Sequence, residues 1–322
     1  MTPKSIERAL ARYRAYKDED VRNRLTLFGP LMLKAAELAN TMGEDDVKVL
    51  REPTDAEILE AGRGGETLLS RGLVAINPES FGRNLALMGE TLLASLKGDD
   101  AFNAAAKAFD WTPFASGSFV SRASRSPLEA LAAAEGMTEG VNANLLNMWV
   151  LPVLGMTLRA YLDAFGGAVS RRLFNLEVDA ASWDRRTTCF ACGAEPDVAA
   201  VASTPKNGNV KRLYCGCCGA SWTFERIRCA RCGDAVMSEL SYVSDAQDDT
   251  HRLHVCASCH AAMPTLFAAG DELTFNADVE AIVLTGLEEA YGQALAEGTV
   301  PGKVMKAGDA TMAGRGPGKG LH

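Results

Sequence analysis

The sequence predicts a multi-domain α+β protein with an all-helical amino-terminal domain, two small metal-binding modules and a carboxy-terminal helix. Three observations support this fold class. All nine cysteines lie between Cys189 and Cys259. Apolar residues recur at helical spacing before this region and again after it. The segments between the cysteine pairs are short and rich in aromatic and β-branched residues, which favours strands and turns.

Composition limits the classes of protein that the chain can belong to. With 322 residues, 47% of them hydrophobic, it has room for more than one domain. A net charge of −8 disfavours general nucleic-acid binding and attraction to a membrane surface. Residues 1–10 carry charges where a signal peptide needs an apolar core, so we expect a cytoplasmic protein. The most apolar run, residues 145–158, is shorter than the roughly 20 residues that span a bilayer and predicts a buried helix.

The amino-terminal domain is predicted from apolar spacing and from caps. Helical spacing recurs in five stretches: 6–13, 25–39, 85–96, 101–109 and 145–173. Asn77-Pro78 and Ser126-Pro127 have the form of a cap followed by a first-turn proline, so each predicts a helix start. Pro30 predicts a kink or a start, and Pro152 a bend. Because the apolar stripes of these helices must pack on one another, we expect residues 1–181 to form one helical domain.

Eight of the cysteines form Cys-x-x-Cys pairs separated by 22, 10 and 23 residues, which is an internal repeat of two similar units. Two thiolates separated by two residues can converge on one ion from a tight turn. Two such turns supply the tetrahedral four-sulfur shell that zinc or iron prefers. The pairs are Cys189 and Cys192, Cys215 and Cys218, Cys229 and Cys232, and Cys256 and Cys259.

The repeat offset of 40 to 41 residues assigns the first two pairs to one metal site and the last two to a second. An interleaved pairing is the less favoured arrangement, and Cys217 is left over. Gly193, Gly219 and Gly233 follow the second cysteine of three pairs, where a positive φ is often needed. His260 takes that place in the fourth pair, so the turn prediction is weaker there.

Two other readings of the cysteines remain open, a disulfide framework and a dithiol redox centre. An odd cysteine count without an export signal argues against disulfides, and a redox pair needs a surrounding strand and helix that we do not predict. Between Arg185 and Cys232 there are eight basic and three acidic residues, an excess of +5. We favour the interpretation that these cations neutralise metal-thiolate centres, with a nucleic-acid-binding face as the alternative.

Each metal unit is predicted to be a small hairpin whose ion supplies much of its folding free energy, because it has few apolar residues. The predicted divisions are the helical domain at 1–181, the first module at 182–224, the second at 225–270, the final helix at 271–300 and a flexible basic tail at 301–322. Four aromatic residues are expected to pack beside the sites: Trp183, Tyr214, Trp222 and Tyr242.

Motifs that usually mark an enzyme do not occur, such as His-Glu-x-x-His, a nucleotide-binding glycine loop or a Gly-x-Ser-x-Gly elbow. His251, His254 and His260 fall near the second site, and we interpret them as peripheral to it. A site with four protein thiolates is closed and offers no open position for hydrolysis. The sequence therefore favours structural support or one-electron transfer over an enzymatic activity.

Residues around the cysteines carry a family resemblance. They are Cys189-x-x-Cys192-Gly-x-x-Pro196, then Arg212-x-x-Cys215-x-x-Cys218-Gly with Trp222 soon after, then Arg226-x-x-Cys229-x-x-Cys232, Cys256-x-x-Cys259 and finally Leu287-Glu-Glu-Ala-Tyr291. In this order and with these intervening residues, the segment from 183 to 295 resembles the formate dehydrogenase accessory proteins of the FdhE family.

The resemblance implies a helical domain followed by rubredoxin-like or zinc-ribbon-like modules, with the eight paired cysteines as ligands of two metal ions. It implies a cytoplasmic, non-enzymatic assembly factor. Such a factor would bind the immature catalytic subunit of a formate dehydrogenase and assist its maturation before export. Neither the choice between iron and zinc nor the oligomeric state follows from the sequence, and a homodimer is compatible with it. The alternatives are an iron-based electron-transfer protein and a zinc-ribbon nucleic-acid binder.

Overall fold

Helices account for most of the chain before the first cysteine. The structure, a computed structural model, describes residues 1–138, 141–177, 185–204, 208–245, 248–268, 275–299 and 303–306. The α-helices in this part are α1 (Pro3–Arg12), α2 (Glu19–Thr41), α3 (Asp55–Gly62), α4 (Pro78–Ser95), α5 (Asp100–Lys107), α6 (Gly117–Arg125), α7 (Pro127–Met137), α8 (Ala143–Leu145) and α9 (Leu151–Glu177). The predicted helical amino-terminal part is therefore confirmed.

Local sequence signals set where several of these helices begin. The Asn77 side chain accepts hydrogen bonds from two backbone N–H groups in the first turn of α4, whose first residue is Pro78. Helix α7 begins at Pro127, directly after Ser126, as the second cap motif predicts. Helix α2 runs through Pro30 instead of beginning there.

Two short strands in this part were not predicted. Strand β1 (Val47–Val49) precedes α3 in the chain and β2 (Val74–Ile76) follows it, and the two strands pair antiparallel. Val74 and Ile76 point into the helical core, whereas β1 is mostly exposed. Three residues are too few to show a period of two in the sequence, which is why the pattern gave no signal.

The long apolar helix is longer than its most apolar run suggests. A π-helical turn, Leu146–Val150, joins α8 to α9 near Pro152. By length and composition alone, the helical stretch Ala143–Leu176 is long and apolar enough to cross a membrane. The short apolar run at 145–158 therefore does not exclude a membrane-spanning helix. However, 61% of its most apolar window is buried inside the protein. Leu154, Leu158 and Phe165 lie in the main hydrophobic core, as a core helix requires.

The cysteine region forms one continuous sheet. Its strands are β3 (Val198–Thr204), β4 (Gly208–Tyr214), β5 (Ser221–Phe224), β6 (Leu240–Asp245), β7 (Asp248–Cys256), β8 (Ala262–Ala268) and β9 (Lys303–Lys306). The strand order is β5-β4-β3-β8-β7-β6-β9. Within each unit the strands are antiparallel, and the two units meet where β3 pairs parallel with β8. The two predicted hairpin units are thus joined through their backbones.

The last helix, α10 (Ala277–Ala296), packs back on the start of the chain. Val279 and Val283 share a hydrophobic cluster with Ile6, Tyr13 and other residues of α1 and α2. Asn276 caps α10 by accepting hydrogen bonds from two backbone N–H groups. Helices α1, α2 and α10 therefore pack together in one hydrophobic cluster.

The domain boundaries proposed from the sequence stay predictions. The main hydrophobic cluster crosses the boundary at residue 181, because it includes Leu158 and Phe165 of α9 together with Cys218 and Trp222. Within the predicted flexible tail, Lys303–Lys306 form a strand antiparallel to β6. The other residues of the tail lie outside the described part of the chain.

Candidate metal centres

The structure gathers the eight paired cysteines into the two quartets that the repeat predicts. Within each quartet the Sγ atoms all lie within 4.8 Å of one another. The first quartet contains Cys189, Cys192, Cys215 and Cys218, and the second contains Cys229, Cys232, Cys256 and Cys259. The interleaved pairing is not observed. We call the two quartets the first and the second centre.

Each Cys-x-x-Cys pair lies in a turn with a left-handed residue after it. Gly193, Gly219 and Gly233 have φ values of 84°, 74° and 80°, and His260 has a φ of 59°. The N–H groups of Gly193, Gly219 and Gly233 donate to the carbonyl oxygens of the first cysteine in their own pairs. The glycine prediction is confirmed, and His260 takes the left-handed conformation at a steric cost that glycine does not have.

Distances between the sulfur atoms fit a tetrahedral shell. The closest contacts across the pairs are 3.5 and 3.6 Å in the first centre and 3.8 Å in both cases in the second. A tetrahedron with metal–sulfur bonds of about 2.3 Å has edges of about 3.8 Å. All nine cysteines are free thiols, and these distances are longer than the roughly 2.05 Å of a disulfide bond. Each centre could hold one metal ion.

The first centre is buried against the helical domain. Its four cysteines are at most 5% exposed. A Cβ added to Gly166 of α9 would lie 2.1 Å from the Cys218 carbonyl oxygen, so only glycine permits this close approach. The Ser170 hydroxyl accepts a hydrogen bond from Ser221 N–H at 2.8 Å, directly after the turn.

Backbone hydrogen bonds join the first centre to a second part of the helical domain. The N–H groups of Leu68 and Leu69 donate to the carbonyl oxygens of Phe190 and Ala191, at 3.1 and 2.9 Å. Both acceptors lie between Cys189 and Cys192, inside the metal-binding turn. The position of this turn is therefore fixed by the segment that follows α3.

A buried arginine supplies positive charge at the first centre. Arg159 of α9 forms ion pairs with Asp163 and Asp278, the latter at 3.3 Å. Burial opposes its charge, but Asp278, Asp163 and Cys218 outweigh that effect and raise the pKa of Arg159. The guanidinium lies so close to Gly219 that a Cβ there would overlap it. Arg159 is thus placed to offset thiolate charge.

The thiols of the first centre do not ionise alike. Burial opposes ionisation of Cys189, but hydrogen bonds from Cys192, Cys215 and Cys218 outweigh it and lower the pKa of the Cys189 thiol. Beside the centre, burial and the charge of Cys215 raise the pKa of Asp197 to about 6. The Asp197 carboxylate accepts a hydrogen bond from Gly216 N–H at 2.6 Å, which ties it to the second turn.

The second centre is more open. Cys229 and Cys256 are buried, whereas Cys259 is half-buried and Cys232 is exposed. Backbone N–H groups of Arg231 and Cys232 donate to the Cys229 sulfur at 3.4 and 3.5 Å. The buried cysteines of this centre pack in a small cluster with Leu240 and Tyr242, whereas Ala230 of its first turn belongs to the main core.

Cys217 belongs to neither quartet, as the sequence predicts. It is half-buried and lines a cavity of about 720 Å³ beside the first centre. Phe28, Met32, Met156 and Ile282 contribute apolar walls of this cavity. Cys217 is therefore a free thiol outside both quartets.

Six of the eight basic residues between Arg185 and Cys232 are engaged in contacts within the described part of the chain, and Lys206 lies outside that part. Arg185 and Arg228 both pair with Glu225, and Arg231 pairs with Glu195 at 2.6 Å. Lys211 is fully buried, and Arg212 lies over the Phe174 ring. Burial lowers the pKa of Arg186, and the charges of Cys189 and Cys192 oppose this shift. This distribution supports neutralisation of the thiolates over nucleic-acid binding.

The three predicted peripheral histidines lie outside both quartets. His254 Nδ1 contacts Lys211 Nζ at 3.0 Å, and burial lowers the pKa of Lys211 to about 7. His251 lies between the carboxylates of Asp248 and Glu280, at 2.7 and 3.2 Å. Burial opposes its charge, yet hydrogen bonds to these carboxylates raise the pKa of His251 to about 9.

Sequence reasoning missed the buried polar residues that complete the histidine network. Glu280 is fully buried, and the Tyr13 hydroxyl donates to its carboxylate at 2.6 Å. Tyr16 donates to Asp248 at 2.7 Å. A glutamate between Val279 and the other apolar residues of α10 was the available signal, because such a position faces the core.

Three of the four aromatic residues expected near the sites lie within the described chain. Trp222 packs beside Phe190 of the first centre and donates its indole N–H to the Arg186 carbonyl oxygen at 3.1 Å. Tyr242 belongs to the cluster of the second centre. Tyr214 contacts the Phe275 ring. Trp183 lies outside the described residues.

The fold and the centres define a class of protein: a helical body that carries paired four-cysteine, zinc-ribbon-like metal modules. No family model matches the chain. Two curated proteins are similar to it, the FdhE homologues of Pseudomonas aeruginosa and Aquifex aeolicus. The first is 29% identical over 135 residues, 40% of this chain and 41% of that protein. The second is 25% identical over 100 residues, 31% of this chain and 35% of that protein.

Each alignment spans less than half the length of the curated relative. The crystal structure of the FdhE protein from Pseudomonas aeruginosa is also similar, with a TM-score of 0.54 over 94% of this chain and 93% of that one. At 19% identity, this likeness shows the fold. Together these findings confirm the predicted resemblance of the chain to the FdhE family.

Proposed function

We propose that the chain is a cytoplasmic accessory protein for a formate dehydrogenase. It would bind the immature catalytic subunit and assist its maturation before export. The resemblance to FdhE proteins supports the accessory role. The observation that carries the proposal is the pair of four-cysteine centres carried by a large helical body, the first of them packed into its core.

The eight paired cysteines would be the ligands of two ions, iron or zinc. A four-thiolate shell is closed, so a metal in it supplies structural support or one-electron transfer instead of hydrolysis. The tight packing of the first centre on α9 supports a structural use of its ion. We therefore infer that recognition of a partner, and not turnover of a substrate, is the role of the chain.

Co-purification tests the partner. A tagged full-length chain should retain the catalytic subunit of a formate dehydrogenase from its own host, and deletion of its gene should lower formate dehydrogenase activity. Complementation with Cys192→Ser should fail, because one ligand of the first centre is lost. Cys217→Ser is the matched control and should restore activity, since Cys217 lies outside both quartets. Unchanged activity after deletion would refute the proposal.

Exposure of Cys232 favours a second candidate function, electron transfer through iron at the second centre. A solvent-accessible sulfur ligand lets an electron donor approach the ion closely. Protein purified from its own host should then absorb visible light and bleach reversibly on reduction. A colourless protein that contains only zinc would exclude this candidate and leave the assembly role intact.

A further inference from the structure

The two quartets have the same sequence pattern but very different surroundings. All four sulfur-bearing residues of the first centre are buried, whereas the second has an exposed Cys232 and a half-buried Cys259. Ligand exchange requires an incoming group to reach the metal ion past its sulfur ligands, which is possible where a ligand is exposed to solvent. Only the second centre offers such a route through its own ligands.

The packing behind the centres differs as well. The first centre is part of the main core, and its turns are tied to the helical domain at Gly166, Ser170, Leu68 and Leu69. Displacing one of its sulfurs would disturb two helical segments. The buried cysteines of the second centre pack in a small separate cluster, and Ala230 of its first turn reaches the main core. Displacing one of its sulfurs would therefore disturb fewer buried contacts than at the first centre.

Surface residues bridge the two turns of the second centre. The Ser258 hydroxyl, next to Cys259, donates to the Asp234 carboxylate, which lies two residues after Cys232. Ser258 is exposed and Asp234 is half-buried, and the loop continues with exposed Val236 and Met237. This hydrogen bond and the one from Ala257 N–H to the Glu239 carbonyl oxygen hold together the edge where the exposed sulfur lies.

We propose that the two centres differ in function, the first being a permanent structural site and the second an exchange site open to small thiol ligands and chelators. The proposal rests on metal binding by the eight cysteines as set out under Proposed function. Exchange would begin at Cys232. As an incoming thiol takes the place of that sulfur, its proton passes to Cys232, so the number of sulfur ligands is unchanged.

The ordering of the two centres can be measured on the full-length chain loaded with zinc. Release to the chromogenic chelator pyridylazo-resorcinol should be biphasic, with one equivalent of zinc in each phase and rates that differ at least about tenfold. Alkylation with iodoacetamide during release, read by mass spectrometry, should label Cys232 and Cys259 in the fast phase. Cys189 and Cys218 should be labelled in the slow phase. Cys217 should react without chelator and serve as the internal reference.

A variant at the surface bridge sharpens the test. Ser258→Ala removes the hydrogen bond to Asp234 and should accelerate the fast phase about fivefold, the factor expected for one net hydrogen bond, without changing the slow phase. Ser238→Ala is the matched control. Ser238 lies in the same exposed loop, and its hydroxyl donates a hydrogen bond to the neighbouring Glu239 carboxylate instead of to the other turn. It should leave both rates unchanged.

Two ions released at one rate, or labelling of Cys189 as early as Cys232, would overturn the assignment of different roles. Those outcomes leave metal binding and the accessory role untouched. A chain that binds fewer than two ions would overturn both this inference and the proposed ligand set. Two ions with ordered release would support both.

Discussion

Replacing Gly166 by alanine should destabilise the protein through the contact between α9 and the first centre. The added Cβ would lie 2.1 Å from the Cys218 carbonyl oxygen, whereas ordinary van der Waals contact begins at 3.4 Å. The helix and the metal-binding turn would have to separate by the difference, about 1.3 Å. Both groups are backbone, so neither can rotate away as a flexible side chain would.

The magnitude follows from two opposing effects. Overpacking of this severity costs about 3 kcal/mol, at the upper end of its usual range. Alanine is favoured over glycine inside a helix by about 1 kcal/mol. The net loss for Gly166→Ala should therefore be about 2 kcal/mol. Gly167→Ala is the matched control, because its nearest neighbour is the flexible end of Arg171 at 3.5 Å. It should gain about 1 kcal/mol.

Urea unfolding followed by circular dichroism measures this difference of about 3 kcal/mol as a shift of the midpoint. Metal content after gel filtration gives a second readout. Gly166→Ala should lose zinc or iron from the first centre preferentially, whereas Gly167→Ala should keep both ions. Equal midpoints for the two variants would refute the close approach of α9 to the turn.

Three further predictions follow from other contacts. The pKa of His251 is raised from 6.5 to about 9. Its contribution to the free energy of unfolding is therefore complete below pH 6.5 and is lost as the pH rises through 9. Its upper bound is about 3 kcal/mol, and urea midpoints should fall over this range in the native chain but not in His251→Gln. Gly219→Ala should lose the first ion, since φ is 74° and the Cβ would overlap Arg159; metal analysis measures this, and retention of two ions would contradict it. Cys217→Ser should bind two ions by the same analysis, because Cys217 is outside both quartets; the loss of one would make it a ligand.

The composition of each centre could be predicted because the relevant information is local. Two cysteines in one turn converge whatever surrounds them, and a glycine after Cys192 or Cys218 marks the left-handed residue of that turn. The repeat offset then separates the two quartets. Helix starts at Asn77 and Ser126 were predicted for the same reason, since a cap and its first turn lie within four residues.

The environment of each centre could not be predicted because it depends on distant segments. Nothing near Cys218 indicates that Gly166 will lie against it. Nor does the sequence of the second centre indicate that Cys232 will be exposed. The parallel pairing of β3 with β8 joins residues 66 positions apart, for example Ala199 and Thr265, and such pairing leaves no short-range pattern.

The continuity of the core changes what the first ion can be expected to stabilise. A free-standing four-cysteine module depends on its metal for folding, and loss of the ion unfolds only that module. Here Phe165 and Val169 of α9 share one hydrophobic cluster with Cys218, Ala220 and the rest of the first centre. Removal of the first ion would expose one side of that shared cluster, so the cost falls on the helical body too. The second centre has a smaller connection, because its buried cysteines pack in a separate cluster and Ala230 of its first turn belongs to the shared one. Loss of an ion from it would therefore cost less buried contact, which is the physical reason why two similar sequence patterns need not serve the same purpose.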